Sequence, residues 1–154
     1  MLAAYARRGA YTDCYALPVA GQVSLERFVE AFYTTPVFKL ERVLLALTLG
    51  ANATDADARG VARGHRARFS AWRVEARQGD EMLLAAGRTR SWFKVEPVAG
   101  GGAARTVLLF GSAVVPRGRG GMGLLFAALL GFHKLYARVL LGAAGRRLAS
   151  RARA

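Results

Sequence analysis

Residues 121–141 read GMGLLFAALLGFHKLYARVLL. Wound as a helix, Leu125, Leu129, Phe132, Tyr136 and Val139 recur at spacings of four and three and draw one apolar stripe along a single face. Lys134 and Arg138 fall opposite, with Leu130 and Leu141 on their side, and His133 sits at the edge of the stripe. At about 1.5 Å per residue the segment is roughly 30 Å long, so it needs a broad apolar surface to lie against. Its apolar run, 122–132, stops at His133-Lys134, short of the roughly 20 residues of a membrane-spanning helix.

The surface is expected from strands. Tyr11–Ala20 (YTDCYALPVA) alternates weakly and is rich in strand formers, with Pro18 marking an edge or an end. Ala67–Arg77, Glu81–Ala86, Arg88–Glu96 and Arg105–Val115 read as four more, punctuated by Gln78-Gly79-Asp80, Gly87 and Gly100-Gly101-Gly102. In Arg88–Glu96, Thr89, Ser91, Phe93 and Val95 share one face, and Arg88, Arg90, Trp92 and Lys94 the other.

Helices fill the gap after the first strand. Ser24 suits an N-cap, with Glu26 in the first turn and Leu25, Phe28 and Phe32 on the buried face. Thr34-Thr35-Pro36 interrupts the pattern and makes Thr35 the cap of a second helix, whose Val37, Leu40, Leu44 and Leu47 repeat at three and four. Thr54-Asp55-Ala56-Asp57 resembles a capping box opening a short third helix. The expected fold is therefore α+β: an antiparallel sheet wrapped around a long C-terminal helix, with two or three short helices after the first strand. The single domain is placed at 11–142, with 1–10 and 143–154 as loosely ordered basic termini.

The 154 residues are 53% hydrophobic and carry a net charge of +13, with every acidic residue at or before Glu96. Such a field attracts anionic lipid surfaces, nucleic acid or acidic ligands, though it says nothing of fold. The lone Cys14 excludes an internal disulfide and a cysteine zinc site, and fits a reducing cytoplasm. No phosphate-cradling GxxxxGK[ST], dinucleotide fingerprint or HExxH occurs, so no cofactor or metal is expected. The basic residues are not interleaved with an aromatic platform, which argues against direct nucleic-acid binding.

The order of elements resembles the helix-grip fold of the START-like superfamily, which includes polyketide cyclases and lipid-transfer domains. The segments FYTTPVFKLER (32–42), GRTRSW (87–92), FGSAVVP (110–116) and LGFHKLYARVLL (130–141) look like those of uncharacterised bacterial members. The resemblance implies an apolar ligand or lipid held between sheet and C-terminal helix. It also implies more strands than the five placed here, to be sought in 98–105 or in a split of 105–115.

On that reading Phe69, Ser91, Phe93, Phe110, Ser112, Leu129, His133 and Tyr136 are the expected ligand-binding residues. His133 is the best acid–base candidate, since its ordinary pKa lies near neutrality. Tyr15, Asp13 and Arg90 are its candidate partners: Asp13 and Tyr15 share a strand face with Tyr11, and an inward Arg90 would offer a fork for a carboxylate or phosphate. Glu26, Glu30 and Glu41 read as solvated helix faces, and Cys14 as a small buried hydrophobe. Three functions are in view: binding of an apolar small molecule or lipid, cyclase- or dehydratase-like catalysis, and peripheral docking on an anionic membrane or a partner. The last requires Leu130 and Leu141 to be exposed beside Lys134 and Arg138.

Overall fold

A computed structural model describes the backbone of residues 1–50, 52–99, 103–116 and 124–151, and their side chains except at 44, 45, 48, 49 and 124–129. The chain runs α1 (Leu2–Arg7), β1 (Tyr11–Ala20), α2 (Leu25–Tyr33), α3 (Pro36–Leu49), α4 (Asp55–Ala62), β2 (Arg68–Phe69), β3 (Trp72–Gln78), β4 (Glu81–Ala86), β5 (Thr89–Val98), β6 (Arg105–Val114) and α5 (Leu124–Arg151). The strands form one antiparallel sheet in the order β1-β6-β5-β4-β3-β2. With the long α5 and the short helices ahead of the main strands, this is the helix-grip arrangement.

Local chemistry accounts for most boundaries. Arg27 N donates to Ser24 Oγ at 3.3 Å and Phe38 N to Thr35 Oγ1 at 3.2 Å, so both expected caps form. Thr54 and Asp57 complete a reciprocal capping box. The β3–β4 and β4–β5 hairpins turn at Gly79 (φ 53°) and Gly87 (φ 54°), in the left-handed region that two-residue hairpin turns require. The sixth strand arises where none was sought. The expected 67–77 strand breaks at Ser70, whose φ is 49°, and folds into the small β2–β3 hairpin.

The core is a ring cluster between α2, α3 and the inner face of the sheet. The Phe32 ring lies 4.9 Å from Phe93 and 4.5 Å from Phe110, and Tyr33 lies 4.7 Å from Phe38 and 4.9 Å from Phe69. Rings at these separations add attraction beyond their buried area. The outer face carries Cys14, Gly111 and Trp92, and α1 covers part of it. A side chain at Gly111 would meet Leu2 Cδ2 and the Asp13 carbonyl, each at 2.7 Å.

Several expectations change. The N-terminal stretch expected to be loose forms α1, because Tyr5 donates to Glu75 and stacks under the Arg90 guanidinium. The C-terminal stretch continues α5 to Arg151, with Ala144 and Leu148 buried and Arg151 paired to Glu30 at 2.9 Å. Gly145 permits this close seat: a Cβ there would stand 2.6 Å from Leu17 Cδ2. The buried face of α5 is Ala137, Leu140, Leu141, Ala144 and Leu148, whereas Phe132 is 67% and Val139 40% exposed. Leu141 is therefore core and Leu130 only half-exposed, so the docking face expected beside Lys134 and Arg138 does not form as drawn. In α3 likewise, Leu40 and Leu47 face outward while Phe38 is buried. Both helices are apolar on several sides, and small residues at 137, 144 and 145 decide which side of α5 can approach the sheet. Cys14, finally, is exposed on the outer face of the edge strand β1. Burial and then the charges of Asp13 and Glu96 push its thiol pKa up.

Gly111→Ala tests the packing. The clash with the Asp13 carbonyl is with backbone and has no flexible end to yield, so a loss of about 1–3 kcal/mol is expected. Denaturant titration should show the midpoint falling with the slope unchanged; an unaltered midpoint would contradict the placement of β1 against β6.

Candidate functional site

Between the inner face of the sheet, α2, α3 and α5 lies a cavity of about 420 Å³. Its wall is mainly aromatic and apolar, from Phe32, Phe38, Trp72, Phe110 and Ala137. Polar side chains enter at a few points: Tyr33, Glu41, Thr89, Ser91, Ser112, His133 and Tyr136. A largely apolar concavity with a few placed polar groups is the usual form of a small-molecule site.

Of the residues expected to bind ligand, Ser91, Phe110, Ser112, His133 and Tyr136 stand in this wall. Phe69 and Phe93 do not. They are buried one layer behind, Phe69 against Tyr33 and Trp72, and Phe93 against Phe28, Phe32 and Phe110. The Leu129 side chain lies outside the described residues.

The acid–base candidates divide. Strand alternation turns Asp13 inward, and register sets it opposite Ser112. Its Oδ1 accepts from Ser112 N at 3.1 Å and from Ser112 Oγ at 2.6 Å, and its Oδ2 accepts from Tyr11 OH at 3.1 Å and Tyr15 OH at 3.3 Å. His133 Nε2 approaches Ser112 Oγ at 2.7 Å and Asp13 Oδ2 at 3.4 Å. Arg138 lies over the Tyr15 ring, 5.2 Å from its centre. Asp13, Tyr15 and His133 thus converge. Arg90 stays on the outer face, paired to Glu75 at 2.6 Å, because the pleat that sends Ser91 inward sends its neighbours outward.

The network fixes proton positions. Ser112 has one hydroxyl hydrogen, and the charge-assisted bond to Asp13 takes it. Ser112 Oγ then accepts from His133, which puts a proton on Nε2. In a serine-nucleophile triad the histidine accepts from the serine and the carboxylate holds the other ring nitrogen. Here the order is carboxylate, serine, histidine, so this geometry does not activate Ser112 as such a nucleophile. Burial alone would raise the Asp13 carboxyl. The bonds from His133 and Ser112, the His133 charge and the Tyr11 hydroxyl outweigh it and hold the pKa at about 2.

A second polar point is not legible in the sequence. Glu41, read as a solvated helix residue, turns into the cavity and accepts from the Tyr136 hydroxyl. Burial raises the Glu41 pKa against the opposing effect of that bond, and raises the Tyr136 phenol further. Glu26 and Glu30 do take surface partners, Arg77 at 2.8 Å and Arg151 at 2.9 Å. Among the described residues, no three His, Cys, Asp or Glu side chains gather to hold a metal ion, and no helix is long and apolar enough to cross a membrane.

The two carboxyls predict opposite pH behaviour. Asp13 has its pKa lowered in the fold, so its stabilisation is present above the ordinary carboxyl range and is lost as pH falls through about 2. Asp13→Asn should cost about 1–2 kcal/mol at neutral pH, with the difference from wild type closing in acid. Glu41 has its pKa raised, so its contribution is present in acid and fades as pH rises through the raised value. Glu41→Gln should therefore look best, relative to wild type, at neutral pH and above. Parallel pH–stability curves for wild type and both variants would contradict these environments.

No family model matches the chain, and no curated protein matches it. Among solved structures it is similar to the protein TTHA0849 from Thermus thermophilus, at 12% identity and a TM-score of 0.32 over 92% of this chain and 99% of that one. It is also similar to an uncharacterized protein from Rhizobium leguminosarum, at 12% identity and a TM-score of 0.28 over 90% and 97% of the two chains. Both are bacterial proteins. Likenesses this weak carry no argument about function, which rests on the geometry of the cavity.

Proposed function

We propose that this chain is a START-like module that binds a hydrophobic small molecule or lipid between its sheet and α5. The observation that carries this reading is the cavity of about 420 Å³, within the size range of small-ligand sites and walled mostly by rings and aliphatic groups. Burial of ligand surface against Phe32, Phe110 and Trp72 supplies the affinity, at about 25 cal/mol per Å² removed from water. The polar groups at Ser91, His133 and Glu41 fix its orientation.

A second reading, an enzyme of the cyclase or dehydratase kind, is favoured by one observation: Asp13, Ser112 and His133 form a hydrogen-bonded relay that ends at the cavity wall. A histidine so oriented is fit to remove or return a proton on a bound molecule. Arg90 takes no part.

Native mass spectrometry of gently purified protein, followed by organic extraction, tests the binding reading. A stoichiometric apolar passenger is expected, and Ala137→Trp, which fills the cavity from α5, should expel it. A protein that carries nothing and shows no saturable binding of apolar compounds would overturn the reading. Recovery of a passenger chemically altered by wild type, and unaltered by His133→Gln, would promote the second reading over the first.

A further inference from the structure

Six large apolar side chains stand out from α3 and α5. Leu40, Val43 and Leu47 on α3, and Phe132, Leu135 and Val139 on α5, are all between 40% and 79% exposed. In each helix the three recur at i, i+3 and i+7, so each set forms one stripe along the outward side. The stripes are joined. Tyr136 of α5 donates to Glu41 of α3, Leu40 precedes Glu41 in the chain, and the Phe132 ring stacks on Tyr136 with 5.9 Å between centres. Single exposed hydrophobics are ordinary, but two stripes beside one interhelical bond make a ridge, and a ridge of this kind marks an interaction surface.

Charge indicates what the ridge faces. Lys134 and Arg138 are exposed on α5, and at about 100° per residue they run along the Leu135 edge of its stripe, away from Tyr136. No acidic residue follows Glu96, so α5 carries none. A second copy of a chain at +13 would be repelled as it approached. A bilayer with anionic headgroups attracts the same charges, at about 1 kcal/mol for each Lys or Arg near its surface. It also accepts protruding side chains without needing matched pockets, which a protein partner would have to supply.

We propose that the α3–α5 ridge docks on an anionic lipid bilayer, with Leu40, Leu47, Phe132 and Leu135 entering the acyl boundary and Lys134 and Arg138 held at the headgroups. This goes beyond the binding reading and does not depend on it. The face also differs from the one drawn from the sequence, because Leu141 is core and α3 supplies half of the apolar surface. Apolar insertion beside a basic margin is how an interfacial helix holds to a membrane. Docked in this way, the Glu41–Tyr136 bond, whose two members line the cavity, lies toward the lipid.

The test is sedimentation of the full chain with vesicles of phosphatidylcholine alone and of equal parts phosphatidylcholine and phosphatidylglycerol. Binding to the mixed vesicles is expected, and at least about tenfold weaker binding to phosphatidylcholine. Leu40→Ser combined with Leu135→Ser should weaken mixed-vesicle binding at least about tenfold, and Lys134→Gln about fivefold. Val98→Ser, which removes an exposed apolar side chain on β5, should leave it unchanged. Thermal midpoints of all three variants should stay within about 2 °C of wild type, which separates loss of docking from loss of structure. Binding that survives the double variant would belong to net charge rather than to the ridge and would overturn the proposal, as would no binding to either vesicle. A chain that is dimeric by analytical ultracentrifugation and monomeric as the double variant would make the ridge an interface between copies, and would overturn lipid docking as well. A passenger held by a protein that ignores vesicles would leave the cavity reading standing, and vesicle binding by an empty protein would leave this one standing.

Discussion

Phe32 is the contact on which the rest of the arrangement depends. It leaves α2 one residue before that helix ends and sets its ring between Phe93 on β5 and Phe110 on β6. Tyr33 continues the wedge toward Phe69, Trp72 and Phe38. These rings hold α2 and the start of α3 against the inner face of the sheet. α5 meets the edge of that packing through Ala137, Leu140, Leu141 and Ala144 and touches β1 at Gly145 and Leu17. A helix fixed by small residues at its C-terminal half and by ring-bearing neighbours elsewhere leaves unfilled space beside His133 and Tyr136. The cavity follows from unequal side-chain size along one helix.

Asp13 gives that space its chemistry. A carboxylate in so sheltered a place is tolerated only when its oxygens are occupied, and here groups from β1, β6 and α5 occupy them. The same bonds tie the edge strand to its neighbour and to the long helix, so a structural requirement and the orientation of His133 are met by one group. The Glu41–Tyr136 pair does the corresponding work between α3 and α5.

Much of this is readable in order along the chain. Turn glycines, caps at Ser24, Thr35 and Thr54, and the alternation of β5 set the elements and send Ser91 inward and Arg90 outward. Alternation in β1 puts Asp13 and Tyr15 on one face. What it lacks is register: that Asp13 lies opposite Ser112 depends on how β1 pairs with β6, ninety-nine positions on, and no local pattern encodes it. The faces of α3 and α5 differ from expectation because their apolar residues occur on several sides, so periodicity alone admits more than one solution. Glu41 is hidden for the same reason. A carboxyl looks like a surface residue until the partner that receives it, Tyr136 from a distant helix, is in place.

The central claim is that sheet and helix enclose an accessible, mostly apolar space. Crystals pressurised with xenon test it directly, since xenon occupies apolar cavities that water leaves empty. Xenon density is expected between Phe110 and Tyr136, with the surrounding side chains unmoved. Density confined to the surface, with Tyr136 and Phe38 closed across the gap, would contradict it.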